Sequence, residues 1–116
     1  MKTELEERTK KFAVRVVKAV GGFQKSSEGQ IIGRQLLKSG TSIGANYREA
    51  NRAESRSDFA HKVGVAEKEA AETIYWLEIC LETGLGTNEV ITGLHKEAGE
   101  LLAILITIGR KAKSPR

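Results

Sequence analysis

Residues 57–83, SDFAHKVGVAEKEAAETIYWLEICLET, decide the fold. Within them Phe59, Val63, Ala66, Ala70, then Thr73 or Ile74, Leu77 and Leu81 recur in steps of four and three, the apolar seam of a helix that packs on other helices. A strand cannot use that spacing, because its side chains alternate with period two and would scatter the seam over both faces. The stretch opens on Ser57 as the expected N-cap with Asp58 in the first turn, and Thr83-Gly84-Leu85-Gly86-Thr87 breaks the chain after it. Toward the C-terminus, Leu94, Ala98, Leu101, Leu105 and Ile108 repeat the seam and predict a helix ending near Gly109 or in a basic tail of residues 110–116. Toward the N-terminus, Ile32, Leu36, Ile43 and Tyr47 predict a helix that a Ser27–Gln30 capping box opens and that runs to about Asn51. Leu5, Phe12, Val16 and Val20 predict the shortest helix, capped by Thr3 and stopped by Gly21-Gly22. Pro115 is the only proline and no segment alternates like a strand, so no helix interior is interrupted. Four seams of similar period need one shared core, and short connections force sequential helices antiparallel. The expected fold is an all-α, antiparallel up-down-up-down four-helix bundle, a single domain over residues 1–116.

A chain of 116 residues with 40% hydrophobic and 29% charged residues can build one core without staples and has no room for a second domain. Cys80 is the only cysteine, so no internal disulfide can form, and a reducing cytoplasm is the expected setting. The charged start Lys2-Thr3-Glu4-Leu5-Glu6-Glu7 argues against a signal peptide, and the longest apolar run, Leu101–Ile108, is too short to span a bilayer. The net charge of +4 is unevenly spread: residues 57–86 hold six acidic side chains against two basic, while the segments on either side are net basic. That pattern fits either a polarised surface or adjacent helices of opposite sign that neutralise each other.

Two features exceed what a plain bundle needs. Gly33, Gly40, Gly44, Gly64, Gly93 and Gly99 fall inside helices, where each costs about 1 kcal/mol relative to alanine. Gly33, Gly40 and Gly44 share one stripe, where another backbone can come close. Apolar residues also outnumber a single seam: Trp76, Ile79, Cys80, Ile91, Leu102, Ile104 and Ile106 lie off the stripes. Burial on two faces of one helix predicts homo-oligomerisation, whereas a wide core stripe would account for the same residues without it.

No motif specifies a reaction. Asp58 and His61 have the spacing of half a di-iron pair, but His95 has Thr92 where the matching Glu would be needed, so no metal is expected. Arg56 and His61 fit the arginine, four residues, histidine pattern of HEPN-like nucleases, a match two residues wide. Cys80, in a Leu- and Ile-rich helix with no neighbouring His, reads as packed. Gly84-Leu85-Gly86 lacks the rest of a phosphate loop, and no cofactor is expected. Basic residues remain: Arg48, Arg52 and Arg56 at steps of four, with Arg34, Lys38 and the tail residues Arg110, Lys111, Lys113 and Arg116. They could neutralise phosphates, reading backbone and not sequence, because no aromatic residue is interleaved for base stacking. The competing account is a solvated edge on which Glu49, Glu54 and the acidic third helix cancel the arginines.

The run Gln35-Leu36-Leu37-Lys38-Ser39-Gly40-Thr41-Ser42-Ile43-Gly44-Ala45-Asn46-Tyr47-Arg48-Glu49-Ala50, then Arg56-Ser57-Asp58-Phe59 and Ala66-Glu67-Lys68-Glu69-Ala70-Ala71-Glu72-Thr73, resembles the four-helix-bundle family of 23S ribosomal RNA intervening-sequence proteins. The resemblance spans nearly the whole chain and implies a closed bundle assembling into a homopentameric, barrel-like ring with no established enzyme activity. The accessory variability determinant of diversity-generating retroelements looks like a relative of that family, which implies basic surfaces that engage a reverse transcriptase and nucleic acid. One departure is the continuous Tyr47-Arg48-Glu49-Ala50-Asn51-Arg52 where the family often turns at Glu-Gly, which would lengthen the second helix. The expected function is a non-enzymatic homo-oligomeric scaffold that contacts RNA through Arg48, Arg52, Arg56, Lys111 and Lys113. The alternatives are a protein-interaction module that holds a reverse transcriptase and a ribonuclease using Arg56 and His61.

Overall fold

The computed structural model describes residues 2–115, with side chains from residue 4 onward. It forms four helices, α1 (Lys2–Gly21), α2 (Ser27–Ala50), α3 (Arg56–Thr83) and α4 (Asn88–Lys113). Sequential helices are antiparallel neighbours, α1 also meets α4, and α1 and α3 lie on a diagonal. The described residues therefore form the expected all-α up-down-up-down bundle, 50 × 22 × 20 Å in extent.

The seams supply the core. Phe12 and Val16 of α1, Leu36 and Ile43 of α2, Val63 and Leu77 of α3, and Leu94, Leu101 and Leu105 of α4 are fully buried. Thr9, absent from the expected stripe, completes α1 between Leu5 and Phe12, and its hydroxyl donates to the Leu5 carbonyl at 2.9 Å, so its burial leaves no bare polar group. Between α2 and α3 the buried Ser39 and Thr73 hydroxyls share a hydrogen bond of 2.9 Å.

Three helix starts lie one or two residues earlier than expected. Backbone helix already holds Thr3, so Thr3 is not the cap of α1, and its side chain lies outside the described residues. Ser26, not Ser27, caps α2, its hydroxyl accepting from the Gly29 amide at 3.0 Å. Glycine at 29 is what permits this, since a Cβ there would collide with the Gln24 carbonyl passing over the first turn. Ser55, not Ser57, caps α3, accepting from the Asp58 amide at 3.0 Å. Gly84 ends α3 in the left-handed region at φ 78°, returning its amide to the Cys80 carbonyl at 2.9 Å. Helix α2 runs unbroken through Tyr47 to Ala50.

The glycine stripe of α2 faces α1 of the same chain. A Cβ at Gly33 would stand 3.1 Å from Val20, at Gly40 3.0 Å from Val16, and at Gly44 2.8 Å from Thr9. The surplus apolar residues are also largely absorbed within the chain. Ile91 and Cys80 are core residues, Trp76, Leu102 and Ile104 pack half-buried against that core, and Ile79 and Ile106 are half-buried. Burial pushes the Cys80 thiol up to about 11, so it stays protonated and inert. The large apolar side chains left exposed are Val14, Val17, Ile31, Tyr75 and Val90, none of which the periodicity singled out.

The seam between α1 and α4 is the thinnest of the four. Helices α1 and α4 stand apart at one end of the bundle, leaving an open groove of about 1010 Å³ lined by Leu5, Tyr47, Phe59, Ile104 and Ile108. Arg8 clasps the seam: its Nε and Nη2 donate to both Glu97 oxygens at 2.7 and 2.9 Å, and Nη2 also reaches Glu100 at 2.6 Å. The hydrogen bond from Arg8 holds the Glu97 carboxyl below its ordinary value of 4.5. A depressed carboxyl stabilises the fold above its unfolded pKa, and that contribution is lost as pH falls through the folded value. Acidification below about pH 4.5 should therefore loosen α1 from α4, and Arg8→Met should remove that acid-dependent increment at a cost of about 1 kcal/mol at neutral pH, reduced by the pair's partial exposure. Denaturant titrations of both proteins between pH 7 and pH 3 check this, an unchanged pH slope in the variant being the contrary result.

Candidate nucleic-acid interface

The antiparallel order brings the C-termini of α2 and α4 and the N-termini of α1 and α3 to one end of the bundle. Carbonyl-rich helix ends favour cations, so the basic residues collect where α2 and α4 finish. Arg48, Arg52 and Arg56 lie at or just beyond the end of α2, and Arg110, Lys111 and Lys113 occupy the last turn of α4. The Arg56 side chain ties the two groups together at this end.

Arg56 is the most engaged of the expected site residues. Its Nε donates to the Ala112 carbonyl at 2.8 Å, and its Nη2 donates to the Lys111 and Ser114 carbonyls at 2.9 and 2.7 Å. As the first residue of α3 it caps α4, satisfying carbonyls that the helix end leaves open. Starting α3 after Ser55 is what puts Arg56 at that position. His61 is exposed on α3, and the guanidinium expected to work with it is committed to those three carbonyls.

The other four remain available to differing degrees. Arg48 lies 4.0 Å from Glu6, which also accepts from Asn51 at 2.8 Å, so α1 supplies the acid that partly screens it. Glu49, expected to cancel the arginines, pairs with Lys62 of α3 at 3.0 Å. The side chains of Arg52, Lys111 and Lys113 are exposed, with no ion pair or side-chain hydrogen bond to any described residue. The clasp at Arg8 and the cap at Arg56 escaped the sequence reading because both join residues more than 50 positions apart. Among the described residues no group of three or more His, Cys, Asp and Glu could hold a metal ion, and no helix is long and apolar enough to cross a membrane.

Comparison with known proteins agrees with the fold. The family described as 23S rRNA-intervening sequence protein matches residues 1–107. No curated protein matches the chain. A crystal structure of a protein of unknown function from the S23 ribosomal protein family of Bacteroides thetaiotaomicron is 38% identical, covers 95% of this chain and 99% of its own, and superposes with a TM-score of 0.84. Matched over nearly its whole length in sequence and in structure, the chain belongs to the 23S rRNA-intervening sequence protein family.

Proposed function

We propose that the protein is a non-catalytic, self-assembling helical scaffold whose basic end binds the phosphate backbone of structured RNA. The observation that carries this reading is the gathering of unpaired Arg52, Lys111 and Lys113, with Arg48 beside them, at one end of the bundle. Phosphate contacts of this kind position a helix of RNA without reading its sequence. A five-membered ring, as the family resemblance implies, would repeat the basic end five times and carry about +20 in total, enough to concentrate polyanions that one chain holds weakly.

The test is electrophoretic binding of the purified protein to a structured RNA over a salt series. Three phosphates neutralised per chain give a log–log salt slope near −3 for each bound subunit. Replacing Arg52, Lys111 and Lys113 together by glutamate should weaken binding at least tenfold and flatten that slope, while leaving the fold intact because none of the three is partnered. No shift of the parent protein at low salt overturns the RNA reading and leaves a scaffold that holds a protein partner such as a reverse transcriptase.

A further inference from the structure

The groove between α1 and α4 opens at the basic end of the bundle. Tyr47, near the end of α2, and Phe59, near the start of α3, form its floor, and Leu5 on one side and Ile104 and Ile108 on the other form its walls. Tyr47 is only 4% exposed, yet its hydroxyl makes no hydrogen bond to a described residue and is not sealed off. A buried phenol normally finds a partner, so a hydroxyl that opens into a groove without one points to a ligand group. Asn51, also on the groove, donates its amide to Glu6 at 2.8 Å and leaves its carbonyl oxygen unpartnered among the described residues. Phe59 is half-buried, which leaves part of its ring open to the same space.

Charge fixes the side from which a polyanion approaches. The α1 rim carries Glu4 and Glu7 beside Arg8 and Lys11, and Arg8 is committed to Glu97 and Glu100, so that rim does not attract phosphates. On α4 the face of Ile104 and Ile108 continues three residues later to the exposed Lys111, and the exposed Arg52 directly follows Asn51. Phosphates held at Lys111 and Arg52 therefore bring their bases to the mouth of the groove. A paired base has its faces and edge engaged in the RNA helix, whereas an unpaired one has a face free to stack and an edge free to hydrogen-bond. Adenine suits the two polar groups, since its edge offers an amino donor for the Asn51 oxygen and a ring-nitrogen acceptor for the Tyr47 hydroxyl. Spacing in the sequence does not show this arrangement, because Tyr47 and Phe59 belong to different helices.

We propose that this groove takes an unpaired nucleobase of the RNA held at the basic end, its face stacked on Phe59 and its edge hydrogen-bonded to the Tyr47 hydroxyl and the Asn51 carbonyl oxygen. The inference rests on the RNA reading above and adds to it a preference for RNA with an unpaired base. Affinities for two RNA duplexes of equal length test it, one fully paired and one carrying a single unpaired adenosine. The parent protein should bind the second about tenfold more tightly, the effect of stacking one base. Phe59→Leu keeps an apolar side chain and removes the ring, and Tyr47→Phe removes the hydroxyl alone. Each should cut the preference by about threefold or more, with circular dichroism showing that the variants fold. Binding to neither RNA at low salt overturns the RNA reading itself. Equal affinity of the parent for both RNAs, or a preference that either folded variant keeps in full, overturns the base site alone and leaves the groove to an apolar segment of a protein partner.

Discussion

Phe12→Ala should lower the free energy of unfolding by about 3–5 kcal/mol, a large part of what a domain of this size possesses, and the melting temperature by roughly 10–20 °C. Phe12 is the largest side chain that α1 inserts into the core, and it is 1% exposed. The other fully buried contributions of α1 are the smaller Val16 and Thr9, so little else fills the space the ring would vacate. Helix α1 is also the least enclosed of the four, because its seam with α4 is open at one end and crossed by the Arg8 clasp. The loss should therefore fall first on α1, with its amides exchanging well ahead of those of α3 in the variant. Urea denaturation with amide exchange measures both effects. A loss under 1 kcal/mol, or exchange that is uniform over the four helices, would show that α1 is held by something other than its buried face.

Much of the fold was legible because it depends on period. The steps of three and four in α3 and α4 locate Val63, Ala66, Ala70, Leu77, Leu94, Leu101 and Leu105 in the core, where the structure has them. Caps were less legible, since Ser26 and Ser27, or Ser55 and Ser57, offer the same hydroxyl, and only the path of the preceding chain selects between them. The Gln24 carbonyl above Gly29 makes that selection for α2, a contact five residues away that no periodic pattern encodes. Apolar surplus misled in a similar way. Ile91 and Cys80 continue the steps of three and four, Ile91 to Leu94, Ala98, Leu101 and Leu105, and Ala70 to Thr73, Leu77 and Cys80, so they belong to the core seam and count as surplus only when the seam is started at Leu94 and carried from Leu77 to Leu81. At the candidate interface the spacing of four does not describe one helical face, since α2 ends at Ala50 and Arg56 opens α3, and spacing within one segment could not show that Arg56 would be turned toward the end of α4.

Gly44→Leu should destabilise the protein by about 3 kcal/mol, because the new side chain would have to enter the contact between α1 and α2. The first carbon alone would stand 2.8 Å from the Thr9 hydroxyl and 3.1 Å from its Cβ, and Thr9 is fully buried with its hydroxyl bonded to its own helix. Neither side can yield cheaply, so α1 must shift outward and lose packing at Val16 as well. Gly99→Ala supplies the opposite sign from the same propensity argument: nothing lies within 4 Å of its added carbon, and relief of the helical glycine should raise stability by about 1 kcal/mol. Thr9→Ala in combination with Gly44→Ala should be less damaging than the sum of the two changes, since the hydroxyl crowded by the second is removed by the first. Thermal and denaturant melts of these variants also decide what the glycine stripe is for. Costs that appear in the dissociated chain place the close approach between α1 and α2, whereas a Gly44→Leu protein that melts normally but no longer assembles would move the stripe to a contact between copies.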